Sequence, residues 1–297
     1  MSVRPAWDFP RGPATCRDLL HVAAEHGVSG ATVVAGTGVG VDDLRDPSFL
    51  VEAEQELRMI RNLLVELGDR PGLGLEAGRH FSVGSAGVLG FALLSSPTAR
   101  DATRIAVRYS TLTPAYADLT LEERDDGAVF AYDVSDVPED VAVFLLERDL
   151  AALANVLDLV AGPMLPAVAC RLELALDQER SDLVASLFPS SFEVLGAQER
   201  TAITLPVGLL ELPLPQADPH MAEVCAQQCE ALVERRRSRR GIGAQVRSLL
   251  LRSPGHMPEM TEVAKELALS GRTLHRRLTD EGTSFRDLRN EVREALA

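Results

Sequence analysis

The sequence predicts an α+β fold, with a mixed N-terminal domain that contains a small β-sheet, followed by an all-α helix-turn-helix segment. Two patterns predict it. Apolar residues recur every three or four positions over most of the chain, as in amphipathic helices, but alternate with polar residues between positions 117 and 134. The chain has 297 residues, of which 46% are hydrophobic. This length and composition favour two domains, or one large domain and a small one, around a sizeable core.

The first half of the chain is predicted to be mostly helical. Leu57, Ile60, Leu64 and Leu67, for example, recur at helical spacing. The predicted helices there cover residues 17–27, 52–67, 86–95 and 97–112. Gly36-Thr-Gly-Val-Gly40 lies between the first two, but it lacks a lysine and the full GxGxxG spacing, so an ordinary loop is favoured over a phosphate-binding loop.

Alternation takes over in the middle of the chain. Residues 117–124 and 128–134 alternate on either side of Asp125-Asp126-Gly127, which predicts a β-hairpin. The elements predicted after it are a long helix over 141–160, a strand over 168–176, a helix over 182–188 and a short strand over 202–205. Helices first and a small sheet later are typical of the α+β class.

A proline-rich break over residues 212–219 separates this body from a helix over 220–240. The predicted domains are therefore a sensory domain (1–216), a linker or dimerisation helix (217–241) and a C-terminal segment (242–297). Two interpretations of the helix remain open: it packs on its own body or pairs with a second copy. Its basic end, Arg235-Arg-Arg-Ser-Arg-Arg240, is either solvated or in contact with phosphate. Its predicted apolar stripe comprises Met221, Val224, Cys225, Cys229 (or Gln228), Leu232 and Val233.

The last forty residues predict two short helices joined by a tight turn, over 260–267 and 271–280. Ser270 is placed to cap the second helix through its hydroxyl oxygen. Leu274 and Leu278, four residues apart, are expected to face the core. A helix in this arrangement is how many proteins enter the DNA major groove. Ser284 is expected to cap a further helix, over 285–297.

The outward face of the second helix is predicted to contact DNA. Arg272, His275 and Arg276 are the candidate base contacts, because arginine can bond guanine at two positions. Thr273 and Arg277 flank this face and are the candidate phosphate contacts. The distribution of charge along the chain also favours DNA binding by its C-terminal part. Residues 235–297 hold 14 basic and 8 acidic side chains, whereas residues 1–234 hold 16 and 36.

Several other functions are disfavoured by the residues. The chain has no nucleophile elbow, metal-binding motif, phosphate loop or paired-carboxylate motif, so no enzymatic activity, metal or cofactor is expected. Cys225 and Cys229, near His220, are interpreted as buried helix positions. His21, His26 and His80 are interpreted as isolated surface or core residues. The sequence shows no signal peptide and no membrane span, so a cytoplasmic location is expected.

The chain resembles the AraC/XylS family of transcription regulators. The matching residues are Glu262-Val-Ala-Lys-Glu-Leu-Ala-Leu-Ser-Gly-Arg-Thr-Leu-His-Arg-Arg-Leu278 and Glu281-Gly-Thr-Ser-Phe-Arg-Asp-Leu288. Upstream, Gly84-Ser-Ala-Gly-Val-Leu-Gly-Phe-Ala-Leu-Leu-Ser-Ser-Pro97, Glu147-Arg-Asp-Leu-Ala-Ala-Leu153 and Leu214-Pro-Gln-Ala-Asp-Pro219 resemble the sensory domain of the ornithine-utilisation and VirS-like regulators. The resemblance implies a homodimer that binds promoter DNA under effector control, with RNA polymerase as a further expected partner.

The family's DNA-binding domain has two helix-turn-helix units, and the sequence shows the first unit and the connecting helix. Truncation before the second unit is therefore expected, and a sensory protein that antagonises a full-length regulator is the alternative function. The expected effector is hydrophobic or amphipathic, such as a fatty acid, with an arginine pairing its carboxylate. Its predicted contacts are Phe81, Phe91, Arg108, Tyr109, Tyr116, Phe144 and Arg148.

Overall fold

The computed structural model confirms the α+β class and describes residues 7–81, 83–162, 169–240, 242–251, 257–267 and 269–295. The chain divides into two compact units, Met1–Glu230 and Ala231–Ala297. The division falls inside the helix that the sequence predicted as a linker. No helix within the described residues combines the length and apolarity that a membrane crossing requires.

The first unit is mostly helical. Short 3-10 turns lie at Asp43–Arg45, Val83–Ala86 and Ser110–Leu112. Its helices are α1 (Ala14–Glu25), α2 (Gly30–Val33), α3 (Ala53–Leu67), α4 (Leu73–Arg79), α5 (Val88–Ser95), α6 (Ala99–Arg108), α7 (Glu139–Ala161), α8 (Gln178–Ala185), α9 (Val207–Leu210) and α10 (Pro219–Arg240), the last of which continues past Glu230. The glycine-rich segment around Gly36 is a turn region between α2 and α3, as predicted.

Five strands form one sheet in the order β1-β2-β5-β3-β4. They are β1 (Asp118–Arg124), β2 (Gly127–Asp133), β3 (Cys170–Glu173), β4 (Phe192–Leu195) and β5 (Thr201–Pro206). The predicted hairpin is confirmed as β1 and β2, and all neighbours are antiparallel except β3 and β4. Gly127 is required at the hairpin because a Cβ there would lie 2.2 Å from the Leu205 carbonyl oxygen of β5.

Several elements differ from the sequence prediction. The predicted strand over 168–176 is shorter, and residue 168 lies outside the described residues. α8 begins four residues earlier than predicted, because the Asp177 carboxylate accepts the Arg180 amide at 2.9 Å and caps the helix. β4 was not predicted; its four residues are too few for a clear alternation.

Helix α4, also absent from the prediction, packs closely on α7. Gly74 and Gly78 face α7, and a Cβ at either would lie 2.2 Å from a backbone oxygen, of Phe144 or Arg148 respectively. The Glu147 carboxylate of α7 accepts the Gly72 and Gly74 amides, each at 3.0 Å, and so satisfies the free amides at the start of α4. Arg180 pairs with the same carboxylate at 2.8 Å. These contacts fix α4 against α7.

The first part of α10 packs on its own unit. Ala222, Cys225 and Cys229 are buried, and the Glu230 carboxylate accepts the Tyr109 hydroxyl at 3.2 Å. The prediction is wrong for two residues of the apolar stripe, because Met221 is 44% exposed and Leu232 is 38% exposed. The buried stripe is shifted round the helix, since Ala222 takes a buried position. Pairing with a second copy stays a prediction.

The second unit contains α11 (Ile242–Leu251), α12 (Met260–Glu266), α13 (Gly271–Asp280) and α14 (Phe285–Ala295). These helices share a core of their own, which includes Val246, Leu250, Val263, Leu274 and Val292. The final helix was predicted to reach residue 297, and residues 296 and 297 lie outside the described residues.

Candidate nucleic-acid interface and effector cavity

Helices α12 and α13 form the predicted helix-turn-helix. Leu274 and Leu278 of α13 are 0% and 1% exposed, and Val263 and Ala264 of α12 are buried in the same core. The small Ala264 side chain suits a close crossing of the two helices. One face of α13 is thereby fixed to the unit, and the opposite face is turned to solvent.

Capping bonds set where these helices begin. The Ser270 hydroxyl accepts the Thr273 amide at 3.1 Å, which confirms the predicted cap of α13. The Ser284 hydroxyl likewise accepts the Asp287 amide at 3.2 Å at the start of α14. Glu281, which sequence reasoning missed, accepts the amides of Ile242 and Gly243 at 2.6 and 2.9 Å. This carboxylate ties the start of α11 to the turn that follows α13.

The outward face of α13 carries the predicted DNA contacts. Arg272, His275, Arg276 and Arg277 are exposed. Within the described residues, none of these three arginines forms an ion pair, whereas Arg289 on α14 is bound to Glu259 at 2.9 Å. Thr273 differs, because its hydroxyl lies 2.8 Å from the Ser270 hydroxyl and belongs to the cap. Arg272 and Arg276 are four residues apart with His275 between them, so all three share one side of the helix.

The first unit contains an apolar cavity of about 90 Å³ between its helices and one face of the sheet. Thr103 is the one polar residue among those that line it, and its hydroxyl donates to the Ala99 carbonyl oxygen at 2.8 Å. The lining residues are Leu93, Ala99, Ala102, Thr103, Ala106, Phe130, Leu153, Val156, Leu157, Val160, Ala161, Ile203, Leu205 and Leu209.

The repeat of side-chain directions along each helix and strand explains which residues line the cavity. Leu153, Val156, Leu157, Val160 and Ala161 recur along α7 at helical spacing and form one stripe. On the sheet, Phe130 of β2 lies directly opposite Ile203 of β5, and Leu205 follows on the same face. The cavity wall is therefore apolar and mostly aliphatic, with Phe130 as its aromatic residue, and it has no charged side chain.

The seven predicted effector contacts do not meet at this cavity, and none of them lines it. Phe91 is 60% exposed. Arg108 is exposed and pairs with Glu230 at 3.0 Å, and Tyr109 donates to the same carboxylate. Phe81 is partly buried near the end of α4, where its carbonyl oxygen accepts from Asn155. Phe144 and Tyr116 belong to the main core.

Arg148 and Tyr116 do come together, but in a buried polar cluster. All three Arg148 guanidinium nitrogens are engaged: by Glu56 at 2.9 Å, by Asp149 at 3.0 and 3.2 Å, and by the Pro114 carbonyl oxygen at 2.9 Å. Tyr116 donates to Glu56 at 3.0 Å. Burial raises the pKa of Asp149, and Arg148 opposes that rise. Because every Arg148 nitrogen already has a partner within the chain, the side chain is committed to this cluster and not to the cavity.

Comparison with known proteins places the chain in a family. Residues 27–214 match the profile of the arabinose-binding domain found at the N-terminus of AraC transcription regulators. An uncharacterized HTH-type transcriptional regulator of Mycobacterium tuberculosis is 40% identical over 283 residues, which are 95% of this chain and 82% of that protein.

The chain belongs to the AraC family of transcription regulators. Another relative, the ornithine utilization regulator of Pseudomonas aeruginosa, is 31% identical over 286 residues, covering 94% of this chain and 81% of that protein. The crystal structure of the transcriptional regulator CdpR from P. aeruginosa has a TM-score of 0.51 at 23% identity, covering 94% of this chain and 82% of that one, so it shows a shared fold. These relatives are named regulators rather than enzymes.

Within this AraC-family chain, the sequence predicted the helix-turn-helix that the structure shows, but it did not predict the cavity. The α13 face was visible because capping, apolar spacing and basic residues coincide within ten positions. The cavity was missed because its lining comes from six separate elements, and because aromatic residues were taken as the signal for a pocket. The cavity could have been predicted from the aliphatic stripe of α7, because this stripe is longer than the part of α7 that packs in the main core.

Proposed function

We propose that this chain is a sequence-specific DNA-binding transcription regulator controlled by a small apolar effector. One observation carries the proposal: α13 presents arginines without ion-pair partners, among the described residues, on a helix whose opposite face is anchored in the core. Unpaired exposed arginines on the second helix of a helix-turn-helix suit the major groove. The family membership agrees with this role.

The residues of α13 divide between two tasks. Arg272, His275 and Arg276 read base edges, with each arginine able to form two hydrogen bonds to one guanine. Arg277 contacts phosphate and sets the register of the helix on the duplex. Thr273 contributes to phosphate binding through the start of the helix, where its hydroxyl and Ser270 already hold the cap.

The effector site is proposed to be the apolar cavity, and not a site formed by the seven residues predicted from the sequence. The wall offers neither a cation nor a free polar group, so it suits the hydrocarbon part of a fatty acid or a similar acyl compound. The cavity is smaller than the ~150 Å³ apolar cavity known to bind benzene, so a longer chain requires the helices to move apart. Movement of α6 or α7 on binding is a route by which the effector would act.

The regulator is proposed to act as a homodimer on promoter DNA, with RNA polymerase as a further partner. The family pattern has two helix-turn-helix units, and the described residues show one, α12 and α13. A single unit makes fewer phosphate and base contacts, so its binding is weaker and less selective. A sensory protein that antagonises a longer regulator is the alternative function.

Binding to duplex DNA tests the proposal directly. A pool of random-sequence duplexes is selected with this chain and with a version extended by a second helix-turn-helix unit of the family, and affinities are measured over a salt series. We expect the extended version to enrich one sequence and to bind it more tightly, with affinity falling as salt rises. If neither version enriches a sequence, the regulator proposal fails. Enrichment by the extended version only, with no binding by the chain itself, favours the antagonist.

Substituting Ala102 with leucine tests the effector site. Ala102 is 7% exposed and lines the cavity, so the larger side chain fills it and excludes a ligand. Filling a cavity typically adds about 0.5–2 kcal/mol to the free energy of unfolding. We expect 1-decanol and decanoate to raise the melting temperature of the wild type but not of Ala102→Leu.

The matched control is Phe91→Ala, because Phe91 was predicted as an effector contact but is exposed outside the cavity. This variant should keep the full ligand-induced shift in melting temperature. A loss of the shift in Phe91→Ala with retention in Ala102→Leu would place the effector elsewhere. Equal shifts with the alcohol and the acid are expected, because the cavity wall holds no cation to pair a carboxylate.

A further inference from the structure

His21 and His80, which are far apart in the sequence, meet beside Glu25 on the surface of the first unit. His21 and Glu25 are four residues apart on α1, and His80 follows the last residue of α4. The rings of His21 and His80 lie 4.6 Å apart between centroids at an angle of 78°. The prediction that these two histidines are isolated is therefore wrong, because the packing of α1 against α4 brings them together.

The donor atoms of this group are close enough to share one ion. His21 Nε2 lies 3.7 Å from Glu25 Oε1, and one ligand atom from each of the three residues lies within 4.8 Å of the others. Ligand atoms around a tetrahedral Zn²⁺ lie about 3.3–3.6 Å apart, as follows from Zn–N and Zn–O distances of roughly 2.0–2.2 Å. Small rotations of the side chains close the difference, and all three are exposed and free to make them.

We propose that His21, Glu25 and His80 form a binding site for a divalent transition-metal ion of the zinc type. Two imidazoles and one carboxylate suit zinc, cobalt and nickel, whereas calcium and magnesium prefer oxygen ligands alone. Three protein ligands leave a fourth position for water, as at open zinc sites. This site is separate from the proposed DNA and effector sites.

The ion would add a second polar link between α1 and α4, beside the bond between His26, at the end of α1, and Glu76 of α4. Its ligands come from α1 and from the end of α4, and α4 is itself fixed to α7 through Gly74 and Gly78. Metal binding therefore favours the arrangement in which α1 stays docked on α4. A ligand that binds the folded state and not the unfolded state raises the melting temperature in proportion to the logarithm of its concentration.

Isothermal titration of the whole chain with ZnCl₂ tests the site, using protein freed of any polyhistidine tag. We expect one ion per chain, a higher melting temperature with zinc, and visible absorption bands of a nitrogen- and oxygen-bound ion with CoCl₂. His21→Ala and His80→Ala should each remove the binding, and circular dichroism should show that both variants fold, since both residues are exposed.

His26→Ala and His220→Ala are the matched controls. His26 is five residues from His21 but bonds Glu76 at 2.6 Å, and His220 is exposed at the start of α10. Both should bind zinc as the wild type does. Unchanged binding in His21→Ala or His80→Ala, or no binding in the wild type, would overturn the proposal. Strong thiolate-to-cobalt bands would also overturn it, because they would assign the ion to cysteines.

Discussion

Replacing Arg272 and Arg276 together with alanine is expected to abolish sequence-specific DNA recognition while the helix-turn-helix stays folded. Both side chains are exposed on α13, and no ion pair holds either of them within the part of the chain that the structure describes. Loss of an arginine–base contact costs about 1–3 kcal/mol. The pair together should weaken binding to a selected duplex by about 2–6 kcal/mol, or roughly 30-fold to 20,000-fold.

The measurement is fluorescence anisotropy with the selected duplex and with a scrambled one, in the version that carries both helix-turn-helix units. Specific binding should fall much more than non-specific binding, because base contacts discriminate between sequences and phosphate contacts do not. The melting temperature should change little, since exposed substitutions without structural contacts usually shift stability by less than about 0.5 kcal/mol.

Arg286 and Arg293 on α14 supply a control with the same change in charge. Both are exposed in the same unit, so their joint replacement by alanine also removes two positive charges. We expect this control to lower affinity for both duplexes slightly and to keep the preference for the selected one. A double α13 variant that discriminates as well as the wild type would show that α13 is not the reading helix.

The contrast between the two units shows what the sequence could predict. In the second unit the determinants are local: Ser270 caps α13, and Leu274 and Leu278 lie one turn apart, so the pattern alone predicts the geometry. Glu281 was missed because its partners, the amides of Ile242 and Gly243, lie almost forty residues earlier. Side-chain bonds to distant backbone leave no periodic signal.

In the first unit the missed features depend on long-range packing. Helix α4 contains two glycines within seven residues, so its propensity is poor, and it forms because Glu147 caps it and α7 accommodates it. Arg108 or Arg148 was predicted to pair with the carboxylate of a fatty-acid-type effector, which the family resemblance suggested. For Arg148, the structure supplies the carboxylates from the chain itself, Glu56 and Asp149.

Replacing Arg148 with methionine is expected to destabilise the first unit by about 3–5 kcal/mol, the usual cost of removing one partner of a buried ion pair. The side chains of Glu56 and Asp149 are 1% and 6% exposed, so both charges would stay buried without their shared cation. Urea unfolding at pH 7 measures the loss. The matched variant is Arg108→Met, whose side chain is 68% exposed beside Glu230, and it should cost no more than about 1 kcal/mol.

The pH dependence of Arg148→Met separates lost charge pairing from lost packing. Burial already raises the pKa of Asp149 in the wild type, and removing Arg148 removes the cation that opposes the rise. A carboxyl whose pKa is higher in the folded state favours folding below its unfolded pKa and disfavours it as the pH rises through the folded pKa. The loss in free energy of unfolding of Arg148→Met, relative to the wild type, should therefore be smallest near pH 4 and increase toward pH 7.

Adding Glu56→Gln to Arg148→Met should recover part of the loss at pH 7, because it removes one of the two buried charges that lose Arg148 while keeping an acceptor for the Tyr116 hydroxyl. If the loss in free energy of unfolding is independent of pH and the double variant recovers none of it, the loss comes mainly from the packing of the arginine side chain.

Ligand binding gives the second readout. If Arg148 is committed to Glu56 and Asp149, the folded variant should still respond to 1-decanol.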